Sequence, residues 1–202
     1  MKDREPRDIE TFLDPAEDVP TREQAFSLRR SLWELFRVLL AAAVLSGAFL
    51  VFFRASLVRG SSMEPTLRDG DCILVRTAGY SAPARGDIVA IKAKDREDKH
   101  LVKRIIALAG DTVHIDFEAG IVFVNGQRLE EPYAAEPTRL SGELTFPVTV
   151  PPGCCFVLGD NRNHSQDSRS AALGFVPLED LEGKAVFRFA PFSRFGPIER
   201  EE

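Results

Sequence analysis

Apolar and polar positions along this chain fall into three regimes. Residues 38–53, VLLAAAVLSGAFLVFF, form a run without a charge. Sixteen residues in a helix reach roughly 24 Å, short of the ~30 Å of bilayer hydrocarbon. Extension back to Leu32 takes in Glu34 and Arg37 near the end, where an arginine can lift its head group to the interface. Extension forward takes in Arg54 to Leu57. The pattern therefore predicts a membrane-spanning helix over 32–57. Two other readings of such a run compete with it. A cleaved secretory leader has a short positive segment and an apolar core of about 7–15 residues, whereas 37 residues of mixed charge precede this run. A helix buried in a globular core is the other, because the run lies near the lower length limit for spanning. Residues 1–31 lack apolar periodicity and mix acids with arginines, which reads as a polar tail.

After the run the period changes to short alternating segments divided by turn residues. GDCILV, GDIVAI and GDTVHI, from Gly70, Gly86 and Gly110, share one form, a Gly-Asp turn and then a strand. Their uneven spacing makes them reused turn chemistry and not a repeat. His100 to Leu108 reads as a longer strand. Asn125-Gly126 predicts a tight turn between Ile121–Val124 and Gln127–Leu129. Cys154–Leu158 and Gly183–Ala190 read as further strands. Residues 131–144, rich in Pro, Ala, Glu and Gly, read as an exposed excursion. Many short strands with no helical pattern between them predict a mainly β, antiparallel domain over 58–202.

Composition changes this picture little. Hydrophobic residues at 44% and charged residues at 28% fit a globular domain. A net charge of −5 argues against wholesale nucleic-acid binding. Arg29, Arg30 and Arg37 precede the apolar run, and Arg54 and Arg59 follow it. The excess on the N-terminal side favours a cytoplasmic N-terminus and an extracytoplasmic β domain. Cys72, Cys154 and Cys155 form no C-x-x-C pair, so a zinc site is not indicated. They read as small buried residues, or as Cys72 bridged to one of the later pair in an oxidising compartment.

Four stretches carry candidate chemistry: SMEPTLRDGD from Ser62, RGDIVAI from Arg85, KRIIALAGD from Lys103 and GDNRNHSQDSR from Gly159. Taken singly, Ser62 is a turn serine, Lys103 a solvated strand lysine and the last stretch a solvated loop. Strand alternation puts Lys103 between Leu101 and Ile105 on one face, which suits burial, and turns Arg104 the other way with Val102 and Ile106. The order and spacing of the four stretches, behind one apolar helix, resemble the type I signal peptidases, the bacterial leader peptidases, along nearly the whole chain to RFGPIE.

The resemblance implies a Ser/Lys hydrolase that needs no metal or cofactor, with Ser62 as nucleophile and Lys103 as general base. A serine hydroxyl needs an adjacent base, and a lysine can serve only when neutral. Burial must then lower its pKa from about 10.4 by several units. None of His100, His114 and His164 has a motif around it that would make a triad. Ser165 matches a serine that hydrogen-bonds the lysine, and Asp160, Arg162, Asp167 and Arg169 match a salt-bridged framework beneath the site. Asn163 and His164 depart from the commoner Asp-Asn pair at the loop edge. The Ser62 N–H is the implied oxyanion donor. Some relatives add a serine hydroxyl at the position of Gly60, which this chain lacks. Arg85 and Asp87 read as structural residues at strand ends and turns.

The implied partners are signal peptides of exported preproteins and the lipid bilayer, the latter a bacterial cell membrane, with the protein acting as a monomer. The peptide would lie extended between Val58–Ser61 and His100–Lys103. Val58, Met63, Leu67, Leu101 and Val102 match the walls that restrict it to small residues of the Ala-x-Ala type. A related Ser/Lys protease with one narrow substrate is the nearest alternative. Self-cleaving repressors share the dyad logic but carry a DNA-binding domain and no membrane helix. A silent membrane-tethered binding domain would not need both Ser62 and Lys103.

Overall fold

The computed structural model describes residues 22–92 and 100–199. The chain divides into two compact units, Met1–Gly47 and Ala48–Glu202. Of the tail expected over 1–31, residues 1–21 lie outside the described residues, and the rest is helical. Helix α1 runs over Arg22–Phe52. Residues 22–31 contain no Pro or Gly to stop it, and Arg30 pairs with Glu34 one turn on, at 3.3 Å. Its Arg29–Phe52 segment, 24 residues, is long and apolar enough to cross a bilayer. Leu45 and Leu50 are 71% and 74% exposed, which a helix packed in a soluble core does not show.

The C-terminal end of the predicted helix is corrected. Phe53–Leu57 is a strand, β1, paired antiparallel with β2, Cys72–Arg76, in the register Phe53↔Arg76 to Leu57↔Cys72. Hydrophobicity alone cannot tell the end of a helix from an apolar strand; the partner strand decides it.

The other strands follow the Gly-Asp turns and hairpins. They are β3 (Ile88–Lys92), β4 (His100–Leu108), β5 (Thr112–Asp116), β6 (Ile121–Val124), β7 (Gln127–Arg128), β8 (Val148–Thr149), β9 (Cys154–Leu158), β10 (Val176–Pro177), β11 (Leu181–Ala190) and β12 (Gly196–Pro197). The larger sheet has the order β1-β2-β11-β3-β4-β9-β10, with β12 on β11; the smaller has β7-β6-β5-β8. Neighbours are antiparallel throughout. Asn125 and Gly126 both take positive φ, 55° and 78°, and close the β6–β7 hairpin.

Both faces of β3 are buried. Ile88 and Ala90 join Val58, Met63, Leu67, Ile73, Val75 and Ala185 in one core cluster, with Val102 against it. Val89 and Ile91 join Ile105, Cys155, Val157 and Val176 in another, with Leu101 against it. A third cluster, around Ile106, Val113, Val122 and Phe156, joins the smaller sheet to the larger.

The three cysteines are free thiols. Cys72 lies on β2 and the other two on β9, with β11, β3 and β4 between them. Four strand spacings span about 19 Å along the sheet, far beyond the ~7 Å Cα limit of a disulfide. Burial pushes the Cys155 thiol up to about 12, which leaves it inert.

Candidate active site

Ser62 sits on the loop between β1 and β2, and that loop is fastened at both ends. The Val58 N–H donates to the Asp71 carbonyl at 2.8 Å, and the Gly70 N–H to the Val58 carbonyl at 3.0 Å. The fully buried Asp71 carboxylate accepts from the Arg68 N–H at 2.9 Å and pairs with Arg188 and Arg194. One helical bond inside the loop, Leu67 N–H to the Met63 carbonyl at 2.8 Å, turns both side chains into the core. Gly60 takes φ +84° and donates its N–H to Asp69 Oδ1 at 2.7 Å. These anchors leave Ser62 half-buried at the loop's inner edge. Among the described residues, no acceptor takes its N–H.

Lys103 lies on β4 opposite Val89 of β3. Leu101 and Ile105, two residues to either side, pack in one cluster with Val89, as strand alternation requires. Lys103 is 2% exposed, and its Nζ stands 2.6 Å from Ser62 Oγ. When the amine is charged, Nζ donates to Oγ; when it is neutral, the hydroxyl can donate to the nitrogen lone pair. Burial lowers the Lys103 pKa from 10.5 to about 8, against the opposing pull of Asp167 and then Asp160. A neutral amine at hydrogen-bond distance from a hydroxyl can take its proton.

The stretch 159–169 folds under this pair. The Asn161 N–H donates to the Ser62 carbonyl at 3.1 Å, and Asn161 Nδ2 to the Ser61 carbonyl, also at 3.1 Å. Gly159 is so close to Ser62 and Ser165 that an added Cβ would overlap the Ser62 carbonyl oxygen and Ser165 Oγ. Asp167 accepts from Arg169 Nε at 2.8 Å and from the Gly159 N–H at 3.1 Å.

One expectation is corrected here. Ser165 does not bond Lys103: its Oγ is buried against Gly159 and has no hydrogen-bond partner among the described residues. All four residues expected in the salt-bridged framework are ion-paired, and Asp160 takes its partner from outside 159–169. Its carboxylate accepts from Arg104 Nε at 2.9 Å and Nη2 at 2.8 Å, and from Thr66 Oγ1 at 2.6 Å. Arg162 donates to the Gly159 carbonyl and to Thr138 Oγ1, both at 3.1 Å, and pairs with Glu131 at 2.6 Å. Arg104, turned away from Lys103 by the strand period, is the framework residue that sequence reading missed. An arginine among the apolar residues of a long strand is costly to bury without a charged partner, and that was the available signal.

The excursion over 131–144 is not simply exposed: Tyr133 is 6% and Thr138 0% exposed. Arg85 pairs with Asp111, with Nε donating to Oδ2 at 3.0 Å. Asp87 accepts from Lys184 at 2.5 Å and from the Tyr80 hydroxyl at 2.9 Å, fastening the foot of β3.

The five residues matched to substrate walls separate. Val58, Met63, Leu67 and Val102 belong to one cluster and Leu101 to another, on the other face of β4. Met63 and Leu67, at 1% and 0% exposed, are core and have no surface to offer a peptide. Leu101 and Val102 are half-buried. Along β4, β3 covers His100 to Arg104 while β9 begins only at Arg104. Among the described residues, the backbone of His100–Lys103 therefore has an unpaired edge beside the serine loop. A cleft of about 390 Å³ lined by Glu64, Pro65, Arg68, Ala135 and Asn161 opens next to that loop.

A family model described as signal peptidase, peptidase S26, matches residues 31–190. The chain is 38% identical over 184 residues to signal peptidase I of Bacillus licheniformis, spanning 86% of this chain and 96% of that protein. It is 41% identical over 172 residues to a probable signal peptidase I-2 of Synechocystis sp., spanning 81% and 75%. The crystal structure of a signal peptidase I from Enterococcus faecalis V583 aligns with a TM-score of 0.44 at 34% identity, over 52% of this chain and 98% of that one.

Proposed function

The chain belongs to the signal peptidases of peptidase family S26, and from that premise we propose that it is a membrane-anchored Ser/Lys endopeptidase that releases exported proteins from their signal peptides. The observation that carries the reading is the buried Lys103 Nζ at 2.6 Å from Ser62 Oγ. Neutral Lys103 takes the hydroxyl proton as Ser62 Oγ attacks the scissile carbonyl carbon. The negative charge that develops on the carbonyl oxygen is met by the Ser62 N–H. The ammonium then returns its proton to the departing amine of the mature protein, and the signal peptide remains as an ester on Ser62. Water, deprotonated by the same amine, hydrolyses the ester and restores the dyad.

An extended peptide adds to the open edge of His100–Lys103, with alternate side chains directed inward. Leu101 and Val102 are the predicted walls nearest that edge, and large aliphatics there leave room only for small residues. Helix α1 supplies the anchor, with the N-terminus cytoplasmic and the β unit extracytoplasmic.

The test is cleavage of one preprotein with an Ala-x-Ala boundary by the detergent-solubilised protein, followed by N-terminal sequencing of the product. Ser62→Ala is expected to abolish cleavage with the fold intact, and Lys103→Arg to be inactive at every pH because arginine stays protonated. Turnover near the wild-type rate in either variant refutes that residue's role.

A further inference from the structure

The stretch after Leu129 contributes two side chains for which the proposed reaction has no use. Tyr133 is buried, and its ring faces two guanidiniums, with Arg104 Cζ 3.8 Å and Arg162 Cζ 5.7 Å from the ring centroid. Glu131 pairs with Arg162 at 2.6 Å. Arg104 in turn grips both oxygens of Asp160. A buried chain of contacts thus runs from Glu131 through Arg162, Tyr133 and Arg104 to Asp160, directly behind the serine loop.

Two buried cations near each other repel. The Tyr133 ring and the two carboxylates Glu131 and Asp160 offset that repulsion. Arg104 has one other fixed bond, from Nη1 to the Gly86 carbonyl at 3.0 Å. The ring therefore completes the set of contacts that orients it.

We propose that Tyr133 is a positioning residue for the dyad: its ring holds Arg104 on Asp160, so that Arg104 offsets much of the pull of the Asp160 charge on the Lys103 amine. The inference rests on the reading of Lys103 as the base. Charged and titratable groups lie on four elements packed around Lys103. On β4 they are His100 and Arg104; on β3 and at its foot, Lys92 and Asp87 with its partner Lys184; in the serine loop, Arg59, Glu64, Arg68, Asp69 and Asp71; and in 159–169, Asp160, Arg162, His164, Asp167 and Arg169. The two carboxylates that pull the amine toward its charged form are Asp167 and Asp160. Asp167 keeps Arg169 in any variant of the ring, while Asp160 has Arg104 as its salt-bridge cation. Loosening Arg104 leaves the Asp160 charge less screened, raises the pKa of Lys103 and reduces the neutral fraction near neutral pH.

The experiment is kcat/KM against pH for the full chain in detergent, on a fluorogenic peptide with an Ala-x-Ala boundary. Tyr133→Leu is expected to move the acidic limb up by about half to one pH unit, a roughly 3- to 10-fold loss on the limb, with the alkaline plateau near wild type. Tyr133→Phe, which keeps the ring, leaves the limb in place. A Tyr133→Leu limb at the wild-type pH, or a loss equal at all pH values, overturns the inference and leaves the base assignment standing. A wild-type profile with no acidic limb overturns both. If Tyr133→Leu does not fold by thermal melt, Tyr133→Met, which keeps apolar bulk without a ring face, decides the matter: a limb at or below the wild-type position overturns the inference.

Discussion

The properties of Lys103 come from a conflict between burial and nearby carboxylates, and burial wins. The shift from 10.5 to about 8 means that the folded state disfavours the charged amine, by ~3 kcal/mol at ~1.4 kcal/mol per pH unit. The sign follows from proton counting. Below pH 8 the lysine is charged in both states, and folding bears the full penalty. Between 8 and 10.5 the unfolded chain holds more protons, so stability rises with pH; above 10.5 the penalty is gone. Lys103→Met is therefore expected to be inactive and about 2–3 kcal/mol more stable at pH 7, with the gain fading toward pH 10.5. Denaturant titrations of both proteins at pH 7 and pH 10 check this. Gly159 is the second residue with a sharp requirement, because a methyl group there strikes the Ser62 carbonyl and Ser165. Gly159→Ala is expected to displace Ser62 and lower kcat/KM by about 10²-fold, with substrate binding little changed in a KM measurement.

At the scale of elements, each half of the proposed dyad is carried by a differently stabilised piece. Ser62 rides on a loop tied by Asp71 and by the buried side chains of Met63 and Leu67. Lys103 rides on β4, whose sheet neighbours change just past it from β3 alone to β3 and β9. The switch leaves the edge proposed for substrate open without exposing the lysine. The β6–β7 hairpin is remote from this chemistry in sequence and sheet. Gly126, at φ +78°, would be strained by any side chain. Gly126→Val is expected to cost about 1–2 kcal/mol with kcat/KM unchanged. A paired melt and activity assay separates the two effects.

For the whole molecule, the proposed anchoring makes a topological prediction. Protease added to spheroplasts should degrade the unit after Ala48 and spare the N-terminal segment; protection of the β unit would reverse the orientation. The apolar run, the Gly-Asp turns that begin strands, the Asn-Gly hairpin and the inward face of Lys103 were all legible in the sequence. Each is written in a few adjacent residues, as a period, a backbone preference or an alternation of faces. The order of the four polar stretches was enough for the resemblance to the signal peptidases. Three things were not legible. Phe53–Leu57 leaves the helix because Cys72–Arg76 returns to pair with it. Asp160 takes as its partner Arg104, 56 residues away. The segment after Leu129, polar enough to look like a surface loop, buries Tyr133 over that arginine. These are choices among partners distant in the chain. Sequence alone determined which residues could form strands and which could do chemistry. Only the tertiary structure decided which charge met which, because a buried carboxylate is satisfied by whichever donor folding brings within 3 Å, and local pattern does not encode that distance.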